Sequence, residues 1–352
     1  MWVASLLLGV PVTSIVDFSA SVNPLGTSPL AAAAIRRAIR FLPFYPDDGC
    51  SQLKQAIASY VEGISSDNIL VGNGSTELIH LFSQVFLEAG NEAITLQPTF
   101  SQYEYAITQN HARPVPIPMK REFRLDVDVL LKSITPKTRA IVLSNPNNPT
   151  STTLDKAELE EIVDEAAKRR IMVLLDECFI EFVDDYKRRS LTRDAIDYGN
   201  LVVLRSLTKV FGLAGLRVGY AVGNRKTISS LSRSKVTWSV NTLAQVAGVA
   251  ALSDEKYLNE TKQLIRKERA YLKESLRKMD VFVTPPKANF MLVNFQGRIT
   301  GAELKQRLLA HRILIRDCST FRGLDSRFVR FAVRTRQDNN TLLQVLRVEL
   351  RD

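Results

Sequence analysis

One lysine, Lys209, lies within a run of small and apolar residues between two segments that resemble buried strands. Partial desolvation lowers the pKa of a lysine in such surroundings and makes its amine a nucleophile. The nearby residues Ser206, Thr208 and Arg217 supply hydroxyl and guanidinium donors for an anion. A nucleophilic lysine beside a phosphate-sized anion site suggests pyridoxal 5'-phosphate held as a Schiff base. The alternative is a lysine with a buried stem in an ordinary turn.

A carboxylate follows one of the most apolar segments of the chain. Residues 172–175 are consecutive apolar residues, as in a strand buried on both faces, and Asp176 comes next. Ligand contacts in α/β sheets lie at this end of the strands. A carboxylate that faces a pyridine nitrogen keeps it protonated, so that the ring can accept electrons from a bond at the substrate α-carbon. We therefore expect Asp176 and Lys209 to be the catalytic pair.

A glycine-rich turn precedes a helical pattern after residue 72. Its residues Gly74, Ser75 and Thr76 would present backbone N–H groups and the positive end of a helix dipole, which suits a phosphate. The turn lacks the lysine of a P-loop and the spacing of a dinucleotide fingerprint. We expect it to bind the cofactor phosphate.

Three motifs, occurring in the expected order, carry a family resemblance: RSLTKVFGLAGLRVGY at 205–220, SNPNNPT at 144–150 and DECF at 176–179. Together they resemble the fold-type-I pyridoxal-phosphate enzymes, in the branch that contains histidinol-phosphate aminotransferase and threonine-phosphate decarboxylase. The resemblance covers nearly the whole chain. It implies the aspartate aminotransferase-like α/β fold and a homodimer with its active site at the interface.

The resemblance also implies cofactor contacts outside the lysine motif. Phe100 would stack on the pyridine ring, Asn147 would hydrogen-bond the ring hydroxyl, and Tyr45 would reach the cofactor phosphate across the dimer interface. A core phenylalanine and a turn aromatic that packs locally are the alternatives for Phe100 and Tyr45. Phe179 stands where aminotransferases of this branch tend to carry tyrosine, and Ser151 stands where glycine is usual.

Substrate contacts are implied at both ends of the chain. Asn23 and Gly26 lie in a loop, DFSASVNPLG, that resembles the substrate loop of the decarboxylases. A simple connector between elements is the alternative for this loop. Arg330 would bind the substrate carboxylate and Arg316 its distal anion, because planar guanidinium groups suit bidentate binding of both. The expected substrate is a small phosphorylated amino acid. The run from Arg316 to Thr335 looks more like the decarboxylase than the aminotransferase.

The implied reaction is decarboxylation of L-threonine O-3-phosphate to (R)-1-aminopropan-2-yl phosphate in cobalamin assembly. Histidinol-phosphate aminotransferase is the alternative within the family. A basic nucleic-acid-binding or scaffold protein built on an inactive enzyme fold is a third interpretation, against which the set of Lys209, Asp176, Asn147 and Arg217 argues. Decarboxylases of this branch usually begin with a His-Gly-Gly-like segment that can contact the substrate phosphate. We expect that contact to be absent here, or to come from a longer native N-terminus.

Seven strand-like segments, starting near residues 69, 93, 115, 140, 172, 201 and 218, have helical patterns between many of them. They predict an α/β fold with a mixed, mainly parallel seven-stranded sheet. A smaller α+β domain is predicted to follow. The expected bounds are 1–30 for an N-terminal substrate and dimer segment, 31–237 for the cofactor domain and 238–352 for the C-terminal domain.

Composition excludes several other classes. The formal net charge of +10 is spread over 352 residues without a nucleic-acid-binding motif, so we expect no nucleic-acid partner. Three cysteines and three histidines are scattered, which predicts no metal site and a reducing compartment. The apolar run at residues 1–16 lacks the basic start of a signal peptide and is shorter than the roughly 18 residues of a membrane span. We expect no membrane association, a cytoplasmic location, and docking of this run on protein.

Overall fold

The structure, a computed structural model, describes residues 1–350. Its strands are β1 Val16–Asp17, β2 Ile69–Gly72, β3 Glu92–Gln97, β4 Arg113–Pro118, β5 Thr138–Ser144, β6 Met172–Asp176, β7 Leu201–Ser206, β8 Gly219–Val222, β9 Phe282–Val283, β10 Phe290–Asn294, β11 Ile313–Leu314, β12 Arg316–Asp317 and β13 Phe328–Ala332.

Helices alternate with many of these strands. They are α1 Trp2–Leu8, α2 Pro29–Ala38, α3 Ser51–Val61, α4 Gly74–Phe86, α5 Gln102–Gln109, α6 Val127–Lys132, α7 Lys156–Lys168, α8 Tyr186–Arg189, α9 Leu207–Val210, α10 Arg225–Ser234, α11 Thr242–Leu252, α12 Glu255–Arg277, α13 Gly301–Ala310 and α14 Arg336–Glu349. Within residues 1–350, none of them combines the length and the apolar character needed to cross a bilayer.

The large sheet has the strand order β2-β8-β7-β6-β5-β3-β4. Strand β8 runs antiparallel to both of its neighbours, and the other pairs are parallel. This arrangement confirms the predicted mixed, mainly parallel seven-stranded sheet. The central strands are buried on both faces, as their continuous apolar sequences predicted.

The register of the central strands places the expected catalytic residues at one edge of the sheet. Asp176, the last residue of β6, pairs with Ser144 at the end of β5 and with Leu204 near the end of β7. After β7 ends at Ser206, the short helix α9 carries Lys209. Because parallel strands end on the same side, the carboxylate and the lysine leave the sheet together.

A second, antiparallel sheet forms the smaller α+β unit, with the strand order β12-β13-β10-β9. The extended segment at residues 313–317 is divided into two short strands. Strand β11 pairs in parallel with β1, and β12 pairs with β13 in the small sheet. Ile315 separates them, because the chain changes from one partner strand to the other at that residue.

The expected boundary at residue 238 does not follow the helix packing. Helix α11, which those bounds assign to the C-terminal domain, packs against α2 and α3 of the N-terminal half. The long helix α12 comes next and contacts both β9 and α14. The domain bounds stay a prediction, and the packing favours a division after α11. The expected end at residue 352 lies outside the described residues.

The N-terminal segment, residues 16–28, joins the small sheet to the lysine helix. The amide of Phe18 donates to the Leu314 carbonyl of β11 at 2.7 Å, and the Phe18 carbonyl accepts from the Ala332 amide of β13, in the small sheet, at 2.8 Å. Further along, the amide of Asn23 donates to the Lys209 carbonyl at 3.1 Å. At the end of the segment Gly26 packs on Gly212, which has φ +67°, so closely that a Cβ at Gly212 would lie 2.0 Å from the Gly26 carbonyl oxygen. The segment is thereby held against the loop that follows the lysine.

Gly212→Ala should therefore destabilise the fold, whereas Gly215→Ala should not. The first substitution combines a left-handed backbone with a backbone clash, and we expect it to lower the free energy of unfolding by about 2 kcal/mol or more. Gly215 has φ outside the left-handed region and no atom within 4 Å of its added Cβ, so its change should stay within about 0.5 kcal/mol. Urea denaturation of both variants measures this difference; equal losses would contradict it.

Candidate active site

A cavity of about 890 Å³ lies at the edge of the large sheet where β5, β6 and β7 end, and the small unit contributes to its wall. Most of the residues expected at the active site line it. From the expected cofactor set it contains Ser75, Thr76, Phe100, Asp176, Thr208, Lys209 and Arg217. From the expected substrate set it contains Arg316 and Arg330. The tertiary structure thus brings together residues that are distributed from position 75 to position 330.

Lys209 is directed into this cavity from helix α9. Burial lowers the pKa of its amine, and the positive charges of Arg330 and Arg217 lower it further, while Cys178 and Asp176 act in the opposite direction. Its Nζ lies 5.7 Å from the centre of the Phe179 ring. A larger share of the amine is consequently in the neutral, nucleophilic form than for a solvated lysine.

The buried carboxylate of Asp176 is held by donors from two different elements. Its Oδ2 accepts a hydrogen bond from the hydroxyl of Tyr103 at 2.7 Å. Its Oδ1 accepts one from the backbone N–H of Cys178 at 2.9 Å. Because a carboxylate oxygen can accept two hydrogen bonds, Asp176 can still accept one from a ligand in the cavity.

The expected phosphate cradle is formed at the N-terminus of α4. Gly74 has φ +75°, and a Cβ there would lie 2.6 Å from Nη2 of Arg217, so only glycine lets the guanidinium approach the turn. Ser75 and Thr76 follow in the first helical turn and line the cavity. The free N–H groups, hydroxyls and guanidinium suit an anion.

Ser206, the remaining residue that was expected to bind the anion, lies behind the turn formed by residues 74–76. The hydroxyl of Ser206 is 2.7 Å from that of Thr208, and it also accepts a hydrogen bond from the Thr208 backbone N–H. Ser206 itself does not line the cavity. In this structure it orients Thr208, whose side chain does line the cavity.

Two arginines line the cavity in different environments. Arg330 is buried and donates to Asn148 Oδ1 and, at 2.7 Å, to the Ser19 carbonyl, while its Nε has no partner among the described residues. Burial lowers the pKa of Arg330 to about 10. Arg316 is exposed and donates to the Thr320 hydroxyl at 3.1 Å. One guanidinium is thus rigidly placed inside the cavity and the other is accessible at its border.

The prediction for Asn147 is corrected by the structure. Its amide oxygen accepts from the Thr99 hydroxyl at 2.7 Å, and its amide nitrogen donates to the Pro98 carbonyl at 3.0 Å. These bonds turn the side chain away from the cavity, into which its neighbour Asn148 points instead. In a loop with two adjacent asparagines, spacing alone does not reveal which side chain faces the ligand.

Four other expected residues also lie outside the cavity lining: Gly74, whose place in the cradle is described above, Asn23, Gly26 and Tyr45. The side-chain amide of Asn23 donates at 2.7 Å to both the Val210 carbonyl and the Thr261 hydroxyl. The Gly26 carbonyl accepts from the Tyr257 hydroxyl. Both residues therefore hold the N-terminal segment against α9 and α12, and the neighbouring residues 19–21 line the cavity instead.

Tyr45 is displaced from the cavity altogether. It is 80 % exposed, and its ring stacks on Trp238 with 4.7 Å between the ring centres. Within this chain it therefore packs locally, as in the alternative interpretation of its turn. A contact with a second subunit stays a prediction.

Next to the site lies a buried ionic cluster, to which the sequence motifs did not point. Arg205 Nη2 is 2.5 Å from Glu181 Oε1, and Arg205 Nη1 is 3.8 Å from Glu177 Oε2. All three side chains are almost fully buried. Their signal in the sequence is the position of two charged residues directly beside the apolar ends of strands β6 and β7.

The residues present fit the pyridoxal 5'-phosphate expected from the sequence. The cavity offers one desolvated amine, a carboxylate with a free acceptor position, an aromatic face at Phe100, and an anion cradle that a Cβ at Gly74 would fill. In the same order, these groups match the aldehyde, the protonated ring nitrogen, the flat ring and the phosphate of the cofactor. Among residues 1–350, no group of three or more His, Cys, Asp or Glu side chains could hold a metal ion.

Comparison with known proteins finds relatives that match most of the chain. Residues 13–346 match the family model for aminotransferase class I and II. The chain is 34% identical to a histidinol-phosphate aminotransferase of Moorella thermoacetica, over 96% of this chain and 86% of the relative. It is 37% identical to a protein of Caldanaerobacter subterraneus subsp. tengcongensis provisionally named threonine-phosphate decarboxylase, over 93% of this chain and 88% of the relative.

Solved structures of both kinds share the fold. The histidinol-phosphate aminotransferase of Clostridium acetobutylicum has a TM-score of 0.88 at 29% identity, covering 96% of this chain and 99% of that one. The L-threonine-O-3-phosphate decarboxylase of Porphyromonas gingivalis has 0.85 at 25% identity, with the same coverage. A histidinol-phosphate aminotransferase of Sinorhizobium meliloti, in complex with pyridoxal-5'-phosphate, has 0.88 at 24% identity, covering 99% and 94%.

The lowered pKa of Lys209 can be tested on the protein without ligand. Because its neutral amine persists to lower pH, its acetylation by trace acetic anhydride should have a midpoint at lower pH than that of a free lysine derivative in the same solution. Mass spectrometry measures the Lys209 peptide and the free derivative in one sample, and Lys209→Met identifies the peptide. A Lys209 midpoint at or above that of the free derivative would contradict the assigned environment.

Proposed function

The chain belongs to the aminotransferase class I and II family, and from that premise we propose that it is a pyridoxal-phosphate-dependent lyase acting on L-threonine O-3-phosphate. The product would be (R)-1-aminopropan-2-yl phosphate, a building block for cobalamin. When bound, the cofactor supplies an electron sink for the bond that breaks at the α-carbon. The protein's own residues must select the bond, bind both anionic ends of the substrate, and supply a proton.

The observation that carries the choice of decarboxylation is the apolar wall formed by Phe179. Its ring packs edge-on against Phe290, with 4.9 Å between the ring centres. Lys209 Nζ lies over the first ring at 5.7 Å and the Arg330 guanidinium over the second at 5.1 Å. A carboxylate bound by Arg330 would lie next to this low-dielectric surface, which favours its conversion to neutral carbon dioxide.

The two arginines support a substrate with anionic groups at both ends. The buried Arg330 is oriented by Asn148 and Ser19, so it can hold a carboxylate in one direction relative to Lys209. Arg316, at the border of the same cavity, is free to reach a distal phosphate. After carbon dioxide leaves, Nζ of Lys209 would deliver a proton to the α-carbon, and the amino group stays on the product.

Histidinol-phosphate aminotransferase is the second candidate, and the names of several relatives favour it. The same arginines would bind the carboxylate and the phosphate of that substrate. Nζ of Lys209 would then remove a proton from the α-carbon instead of adding one. The reactions thus differ in which α-carbon bond is aligned for cleavage, and they share most of the binding residues.

We further propose a homodimer, in which Tyr45 reaches the site of the second copy. Large apolar side chains are exposed on one stretch of the surface, with Phe44 68% and Tyr45 80% exposed, and Trp238 packs on Tyr45. A monomer rarely leaves such groups in water. Sedimentation equilibrium should give a mass near twice 39.5 kDa; a monomer at micromolar concentration would contradict the proposal.

A side-by-side substrate assay separates the two reactions. The purified protein, loaded with pyridoxal 5'-phosphate, should release carbon dioxide from L-threonine O-3-phosphate without a keto acid. It should form little glutamate from histidinol phosphate and 2-oxoglutarate. Glutamate formation without carbon dioxide would support the aminotransferase and overturn the lyase.

Arg316→Gln tests the assignment of the distal anion. A charge-assisted hydrogen bond to phosphate contributes about 1.5–3 kcal/mol, so kcat/KM for threonine phosphate should fall about 10- to 100-fold. The rate with unphosphorylated threonine should change little. Arg327→Gln is the matched control, because Arg327 is exposed, pairs with Asp325 and does not line the cavity. Equal losses on both substrates would place Arg316 outside the phosphate contact.

A further inference from the structure

We propose that Tyr103 is a positioning residue that holds both the carboxylate of Asp176 and the ring of Phe100 for the cofactor. The inference rests on the cofactor part of the proposed function and is independent of which substrate the enzyme uses. Tyr103 lines the cavity three residues after Phe100, a position at which the sequence suggests a second aromatic candidate for the site without giving it a role.

Tyr103 reaches Asp176 from a separate helix. It lies in the first turn of α5 and is 1% exposed, and its hydroxyl donates to Asp176 Oδ2 at 2.7 Å. Burial raises the pKa of the Tyr103 phenol well above its ordinary value, so the group keeps its proton and remains a donor. With Oδ1 already held by the Cys178 N–H, rotation of the carboxylate about its Cβ–Cγ bond is restricted.

The same side chain supports Phe100. The two rings pack edge to face, with 5.6 Å between their centres and 85° between their planes. The Tyr103 backbone N–H donates to the Phe100 carbonyl at 3.1 Å, which closes the turn that joins the two residues. Edge-to-face packing restricts the rotation of Phe100, which is only half-buried and lines the cavity.

One residue therefore connects two groups that would meet the cofactor from different directions. Asp176 would meet the ring nitrogen, and Phe100 would meet the ring face. A hydrogen bond between a carboxylate and a ring nitrogen is directional, so a carboxylate free to rotate would hold the ring proton less well. A proton on the ring nitrogen in turn makes the covalent linkage to Lys209 easier to deprotonate. Loss of the Tyr103 hydroxyl should thus be visible in the spectrum of the bound cofactor.

Tyr103→Phe removes the hydroxyl and retains the ring. We expect the dissociation constant for pyridoxal 5'-phosphate to rise about 10-fold, because the carboxylate loses a charge-assisted hydrogen bond. The pH midpoint of the visible absorption band should move to higher pH. With substrate, kcat should fall and KM should change little, since Tyr103 does not contact the arginines that bind the anionic groups.

Tyr220→Phe is the matched control. Tyr220 is as fully buried as Tyr103, its hydroxyl has no partner among the described residues, and it does not line the cavity. The control should keep the wild-type dissociation constant and pH midpoint. A third variant, Tyr103→Leu, also removes the ring that supports Phe100, so its affinity for the cofactor should be lower than that of Tyr103→Phe.

The titrations separate this inference from the proposed reaction. If Tyr103→Phe and Tyr220→Phe have the same dissociation constant and midpoint, the positioning role is overturned. If wild-type protein binds the cofactor but releases no carbon dioxide from threonine phosphate, the lyase proposal fails while the spectral comparison still decides the role of Tyr103. A wild-type protein that binds no pyridoxal 5'-phosphate overturns both.

Discussion

The position of the nucleophilic amine relative to the carboxylate depends on how the ends of β6 and β7 are joined. Asp176 pairs with Leu204 in the parallel register, and the next amide, that of Glu177, donates to the Leu204 carbonyl at 2.9 Å. Directly beyond, Arg205 is buried between two glutamates. Buried ions are costly unless they are paired, so the contacts of this cluster favour one relative position of the two strand ends.

The glutamate of that cluster is also bound to the chain that follows β6. Glu177 Oε1 accepts from the Leu191 amide at 2.9 Å, and Oε2 accepts from the hydroxyls of Ser190 and Thr192. Arg205 in turn donates to Thr192 at 3.0 Å. The cluster therefore lies behind the active site and stabilises its frame, while the cavity in front remains available for ligand. Two successive residues thus have different roles: Asp176 faces the cavity, and Glu177 stabilises the strand ends behind it.

The N-terminal segment connects the small unit, which carries the arginines of the proposed substrate site, to the lysine. Arg330 lies on β13 and is oriented by Ser19 of that segment, whose later residue Asn23 bonds to α9. A shift of the small unit would therefore move Arg330 and strain the contacts around Lys209 together. In the proposed reaction, the direction from which Arg330 holds the carboxylate would decide which α-carbon bond is aligned for cleavage.

Much of the fold and the chemical core of the site followed from the sequence by itself. Continuous apolar runs located the central strands of the large sheet, because a strand buried on both faces carries apolar residues on both. Asp176 was evident as the charge that directly follows one such run, and Lys209 as the lysine within a run of small and apolar residues. What only the tertiary structure decided was the direction of side chains in loops: Asn148 rather than Asn147 faces the cavity, and Asn23 binds α9 rather than ligand. Those directions depend on hydrogen-bond partners that are distant in the chain, such as Pro98 or Thr261, and no local pattern encodes them.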